Sequence, residues 1–178
     1  VAFFDDRNFL KDPRLKYIPR SWTFWTDPDR RHTDQFLKDL TDEDYANEKR
    51  AFQMRLEIVS AMNRAGIKFL AGTDTPLPSV HPGFSLHEEL ALFVKAGMTP
   101  IEALQTATLN PAKFLNIEQD SGTIQKGKIA DLVLLDANPL DNINNIQRIN
   151  AVVVNGRLLD RNALDNLLMQ VEAAAKKN

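Results

Sequence analysis

No cysteine occurs among the 178 residues of this chain, which excludes a disulfide framework, a thiolate zinc site and a thiol nucleophile. That absence does not choose a compartment, because reducing and oxidising environments both tolerate it. Histidine is scarce. His32, His81 and His87 are the only three, and no two of them stand at i, i+2 or i, i+4, so no local imidazole pair is available to a metal. Charge of one sign is not in excess either: a net charge of -2 and a pI near 5.9 give no reason to expect nucleic acid or an anionic membrane as partner. No apolar run approaches the length of a membrane span, no signal peptide is visible, and there are no internal repeats or low-complexity tracts. An initiator Met is missing as well. The chain begins at Val1, and the expectation is that an upstream portion has been removed or not counted.

What is present concentrates around Gly72-Thr73-Asp74, which closes the apolar run Ile67-Lys68-Phe69-Leu70-Ala71. Gly66 ends a helical pattern just before the run, and Thr75-Pro76-Leu77-Pro78 forbids a continued strand after it. The run therefore reads as a short buried strand with a carboxylate at its C-terminal tip. In parallel α/β folds, and above all in (β/α) barrels, that tip is where chemistry is placed. The competing reading of Asp74 is an Asp turn that caps the next segment.

Residues 1–40 show no clear periodicity and mix Phe3, Phe4, Phe9, Tyr17, Trp22, Phe24 and Trp25 with Pro13, Pro19, Pro28 and many charges. Such a stretch reads as a loop tucking its aromatics onto a neighbouring core, or as a lid or wall with Trp22 and Trp25 against a substrate. Thr41 with Asp44 then opens a long helix whose apolar stripe is Phe52, Leu56, Val59 and Met62. Ser85-Leu86-His87-Glu88 and Thr99-Pro100-Ile101-Glu102 are capping boxes for two more helices, and Asn110-Pro111 opens a short one ending near Leu115. After residue 120 the period changes, and Gly122–Ile124, Ala130–Asp136 and Ala151–Val154 read as strands. Asn155-Gly156 is a two-residue hairpin signal returning through Arg157–Leu159, and Asp160 caps a last amphipathic helix.

Several of these motifs, in order and at consistent spacing, resemble the C-terminal part of a metal-dependent amidohydrolase of the imidazolonepropionase and Xaa-Pro dipeptidase kind. They are Ala71–Pro76, Pro82–Leu90, Ala96–Leu104, Ala107–Ala112, Gly122–Ile124, Lys126–Val133, Asn138–Leu140 and Val154–Arg157. The resemblance implies an α/β fold: the C-terminal portion of a (β/α)8 TIM barrel plus the C-terminal strands of a small composite β-sandwich. The implied boundaries are residues 1–118 for the barrel part with its last strand at 67–74, 119–160 for the sandwich strands, and 161–178 for a terminal helix.

The same resemblance implies that Asp74 both binds a divalent metal, zinc before others, and exchanges a proton with the attacking water. A carboxylate suits both tasks as a hard oxygen ligand with a short reach. The family's remaining ligands, a His-x-His pair, a Lys or Glu and two single histidines, have no counterparts here. The chain is thus expected to be a fragment that holds no metal alone and joins a missing N-terminal half or associates with itself. His81, in the loop after Asp74, is either a substrate-loop residue at the site mouth or a solvated loop histidine. His87 is a helix-end residue, and His32, among Arg30, Arg31 and Asp34, is exposed. Two functions stay open: a hydrolase of carbon–nitrogen bonds acting on a small molecule, and a folded or oligomerising module without chemistry.

Overall fold

The computed structural model describes residues 11–22, 41–75 and 80–177. Five α-helices lie in these stretches: α1 (Asp42–Arg64), α2 (Ser85–Lys95), α3 (Pro100–Thr106), α4 (Leu109–Phe114) and α5 (Arg161–Ala175). Three strands follow one another as β1 (Leu132–Leu135), β2 (Ile149–Val154) and β3 (Arg157–Leu159). By contacts the chain divides into two compact units, one of residues 1–55, 74–85 and 167–178 and the other of residues 56–73 and 86–166.

The helix ends follow the sequence closely. Thr41 Oγ1 accepts from the Asp44 N–H at 3.2 Å while the Asp44 carboxylate accepts from the Thr41 N–H at 2.8 Å, a capping box with Asp in the acidic place. At Thr99 the same reciprocal pair forms with Glu102, with Pro100 at the first helical position where its missing N–H costs nothing. Asp160 Oδ1 accepts from the Ala163 N–H at 2.8 Å and starts α5. The other ends of α1 and α2 close alike. Gly66 (φ 81°) donates to Asn63 O and Ile67 to Met62 O, and Gly97 (φ 103°) donates to Val94 O and Met98 to Phe93 O. Both are Schellman closures, which place a left-handed residue where only glycine escapes the Cβ penalty.

The second unit, residues 56–73 and 86–166, owns the apolar core. Leu90 and Phe93 of α2, Met98, Ala103 of α3, and Ile143 and Ile146 of a short 3-10 turn are buried together. Phe69 and Ala71 pack against that cluster, the Phe69 and Phe93 rings meeting at 5.7 Å between centroids. The expected strand over Ile67–Ala71 differs here: residues 67–74 have no ladder partner among the described residues. Their polar groups are met from the helices instead. The Ala71 N–H donates to Thr106 O (2.9 Å), the Gly72 N–H to Glu89 Oε1 (3.0 Å), and Phe69 O accepts from Asn110 Nδ2 (3.0 Å). A period of two survives from residue 69 onward, since Phe69, Ala71 and Thr73 are half-buried while Leu70, Gly72 and Asp74 are exposed. One face is covered and the other open, so the segment is not the fully buried strand its composition predicts.

The sheet of this unit is antiparallel in the order β1-β2-β3, and no parallel pair occurs among the described residues. Leu134 faces Ala151 but Leu135 faces Ile149, which leaves Asn150 as the extra residue of a bulge; its side chain donates to Asp136 Oδ1 at 2.9 Å. The hairpin signal holds. Asn155 (φ 47°) and Gly156 (φ 77°) are both left-handed, and Val154 pairs with Arg157 across the turn. Gly122–Ile124 does not form the expected strand, and Ile124 is 86% exposed, so its apolar side chain has no sheet face to join. Val133, Leu134 and Leu158 are exposed as well, since a sheet's faces are covered by packed helices or a second sheet and not by its own strands.

In the first unit a 3-10 turn, Pro13–Tyr17, is capped by Asp12, whose carboxylate accepts from the Arg14 N–H. Tyr17 stacks on Phe84 with centroids 5.5 Å apart, and Lys16 pairs with Glu172 at 3.1 Å. No described helix is long and apolar enough to cross a membrane.

Candidate active site

Asp74 begins the segment of the first unit that runs from residue 74 to residue 85. Its carboxylate is exposed and its backbone is left-handed (φ 54°), a conformation Asp tolerates better than most residues because its short polar side chain relieves the strain locally. Proline at position 76 and the glycine at 72 bracket it in sequence: proline lacks the N–H a ladder needs, and glycine weakens a strand. The next residue is tied down: Thr75 Oγ1 donates to Val80 O at 3.2 Å.

His81 follows Val80 and is 4% exposed, so the reading of a solvated loop histidine is corrected. Burial of an imidazole demands polar partners. The His81 backbone N–H donates to Ser85 Oγ at 2.8 Å, its backbone carbonyl accepts from the Phe84 and Ser85 N–H groups, and the ring Nε2 lies 3.4 Å from Asp12 Oδ2. Asp12 is in turn held by Arg14, whose Nε reaches Oδ1 at 2.9 Å and whose Nη2 reaches Oδ2 at 2.6 Å. This is a bidentate, charge-assisted contact. The Arg14 guanidinium outweighs burial and holds the Asp12 carboxyl down at about 2, helped by the Arg14 backbone N–H and charge and by the His81 imidazole. Sequence reasoning missed Asp12 and Arg14, which lie in the stretch read as irregular; the Asp12-Pro13 turn signal was the one local hint.

His87 sits half-buried in the first turn of α2, as expected of a helix-end residue. Burial disfavours its charged form and lowers its pKa below 6.5, with Glu88 pulling the other way. Trp22 is 50% exposed, while Trp25 and His32 lie outside the described residues.

Among the described residues no group of three or more His, Asp or Glu side chains could hold a metal. One carboxylate leaves most of a coordination shell to water, so the described residues do not by themselves fit a resident metal.

The chain is similar to several known proteins. A solved bottromycin amidohydrolase matches 98% of this chain and 38% of its own at a TM-score of 0.73 and 23% identity, a likeness of fold. A Xaa-Pro dipeptidase solved with methionine in its active site matches 59% of this chain and 25% of its own, at a TM-score of 0.54 and 30% identity. The imidazolonepropionase of Sphingopyxis alaskensis is 36% identical over 89 residues, covering 47% of this chain and 21% of that protein. The chain thus spans a quarter or less of the length of these last two relatives. The profile of the amidohydrolase family matches residues 38–159, well over half of the chain and inclusive of Asp74. The chain belongs to the amidohydrolase family.

Proposed function

We propose that this chain is the C-terminal part of a metal-dependent hydrolase of carbon–nitrogen bonds in a small molecule, with Asp74 as its chemical residue. The observation that carries the reading is the exposed Asp74 carboxylate, on a left-handed backbone, closing a segment of alternating exposure inside the family-matched stretch. In this reading residues 1–118 complete a (β/α)8 barrel with segment 67–74 as its last strand. Residues 119–160 supply strands of a β-sandwich, and 161–178 a terminal helix. Asp74 is then one oxygen ligand of a divalent ion, zinc before others, whose other ligands lie outside the described residues.

The part this chain plays is a proton transfer. Asp74 accepts the proton of the attacking water and returns it to the departing amine, a task for an exposed carboxylate within hydrogen-bond reach of both. Asparagine has nearly the same shape and tolerates φ near 54°, but it cannot take a proton. In the complete enzyme, Asp74→Asn is therefore expected to leave Tm within about 2 °C and to cut kcat about a thousandfold or more. Steady-state kinetics beside a melting curve decide it, and turnover within about tenfold of wild type removes Asp74 from the chemistry.

A second reading, a folded or self-associating module without chemistry, is favoured by the absence of a metal-holding cluster among the described residues and by the open sheet faces at Val133, Leu134 and Leu158. An amide hydrolysis assay with added zinc, run beside light scattering, separates the two. A stable monomer that turns over amide excludes both the module and the incomplete site.

A further inference from the structure

We propose that Arg14, Asp12 and His81 form a positioning relay that sets the backbone of Asp74 from the N-terminal segment of the chain. The inference rests on the reading of Asp74 as the site carboxylate, and it gives a role to groups that reading leaves unused. All of its members belong to one compact unit.

The links differ in kind: a bidentate ion pair, a 3.4 Å approach of carboxylate to imidazole, and backbone hydrogen bonds around His81. Arg14 grips Asp12 through both carboxylate oxygens, and a planar guanidinium matched to a carboxylate fixes direction as well as distance. Asp12 is also fixed from its own side, since Oδ1 accepts from the Arg14 N–H at 2.8 Å while Asp12 caps the 3-10 turn that follows. The carboxylate so immobilised stands 3.4 Å from Nε2 of His81. His81 is buried, and its backbone is locked at both polar groups into the turn that opens α2. The preceding residue, Val80, accepts from Thr75 Oγ1 at 3.2 Å, and Thr75 is the neighbour of Asp74. Displacing His81 therefore moves Val80 O, and with it the one described hydrogen bond that ties Thr75 across the loop base.

The sequence reason for the device is the strain at Asp74. A left-handed non-glycine residue costs free energy and persists only when its surroundings over-determine it. The aromatic contact between Tyr17 and Phe84 fastens the same two segments at a second point, one step further from Thr75, since the Phe84 N–H donates to His81 O at 3.1 Å. The two fastenings thus differ in how they reach His81. The polar one acts on the His81 side chain directly, while the aromatic one acts on the His81 backbone through Phe84.

Nuclear magnetic resonance on the whole chain tests this without any assay of activity. The amide and Cα shifts of Asp74 report its left-handed conformation. In Asp12→Asn, which keeps the capping oxygen but loses the charge, and in His81→Gln, those shifts are expected to move toward random-coil positions. Asp12→Glu, which keeps the carboxylate, is expected to restore them in part. Tyr17→Leu serves as the structural control, lowering Tm while displacing the Asp74 shifts less than either relay variant. If either relay variant fails to fold, Arg14→Lys, which keeps the charge but breaks the bidentate grip, reads the same link. Unchanged Asp74 shifts in folded Asp12→Asn and His81→Gln overturn the relay, and so does an equal displacement in Tyr17→Leu. This readout is indifferent to whether Asp74 does chemistry, which Asp74→Asn kinetics decide separately.

Discussion

The two compact units hold themselves together by different means. The unit of residues 56–73 and 86–166 sets its element ends with devices spanning a few residues, the Thr99 capping box, two Schellman closures and the Asn155-Gly156 hairpin, and closes over an apolar core. The unit of residues 1–55, 74–85 and 167–178 depends on pairs from distant parts of the chain: Asp12 with His81, Tyr17 with Phe84, and Lys16 with Glu172. Local devices carry their own instructions, because a cap or a turn needs only a residue type at a fixed offset. Distant pairs carry none, because either partner alone looks like an ordinary surface residue. The difference teaches where single substitutions bite: in the first case at a named position of a local motif, in the second at a partnership.

The largest effect on stability is expected at Gly122. It is left-handed (φ 86°), and a Cβ there would lie 2.6 Å from Ala112 Cβ and 3.2 Å from both Leu109 Cα and Thr108 O. Gly122→Ala is therefore expected to cost about 2–4 kcal/mol, strain and overpacking together, read as a Tm drop of roughly 10 °C. An unchanged Tm would show that this packing does not hold in solution.

Gly156 offers the contrast of strain without crowding. Its φ is 77° and nothing lies within 4 Å of a built Cβ. Gly156→Val is expected to cost about 1–2 kcal/mol, below Gly122→Ala, and urea melts of the two variants rank them. Thr99→Ala removes the hydroxyl of the capping box at α3 and is expected to cost about 1 kcal/mol. Thr99→Ser, which keeps an oxygen for the Glu102 N–H, should recover most of that loss in the same melts.

The smallest effect separates the units by pH. His87, in residues 86–166, has a folded pKa below 6.5, so the unfolded chain binds the proton more readily, and stability falls as pH drops below 6.5 through the folded value. Asp12, in the other unit, is held at about 2 against 3.8, so its contribution is full above 3.8 and is lost as pH falls toward 2. Two acid-dependent slopes are expected in Tm against pH, and His87→Gln should flatten only the one near neutrality. A single slope below pH 4 in wild type would remove His87 from the account.

Much of the helix architecture was legible in the chain. Thr41, Thr99, Asp160, Gly66 and Gly97 each mark a boundary that the structure respects, and Asn155-Gly156 marks its turn. Two apolar runs were legible only in part. Leu132–Leu135 became a strand because Ile149–Val154 lies beside it, whereas residues 67–74 keep strand-like alternation with no ladder among the described residues. Apolar periodicity states that a face wants covering, and hydrogen-bonding partners decide whether a ladder forms. Gly122–Ile124 shows the limit further, because a glycine that read as the start of a strand is needed for its close approach to α4.

By itself, the sequence determined where α1, α3 and α5 start, where α1 and α2 stop, where the hairpin turns, and that Asp74 closes an apolar segment after Gly72-Thr73. Each of these is settled by backbone dihedral preferences and by hydrogen bonds spanning four or five residues. Only the tertiary structure decided that His81 is buried rather than solvated, that Arg14 and Asp12 stand behind it, and that Glu89 receives the Gly72 N–H. These depend on which distant segments meet, and a charged or polar side chain reveals its partner only when burial removes the water that would otherwise serve in its place.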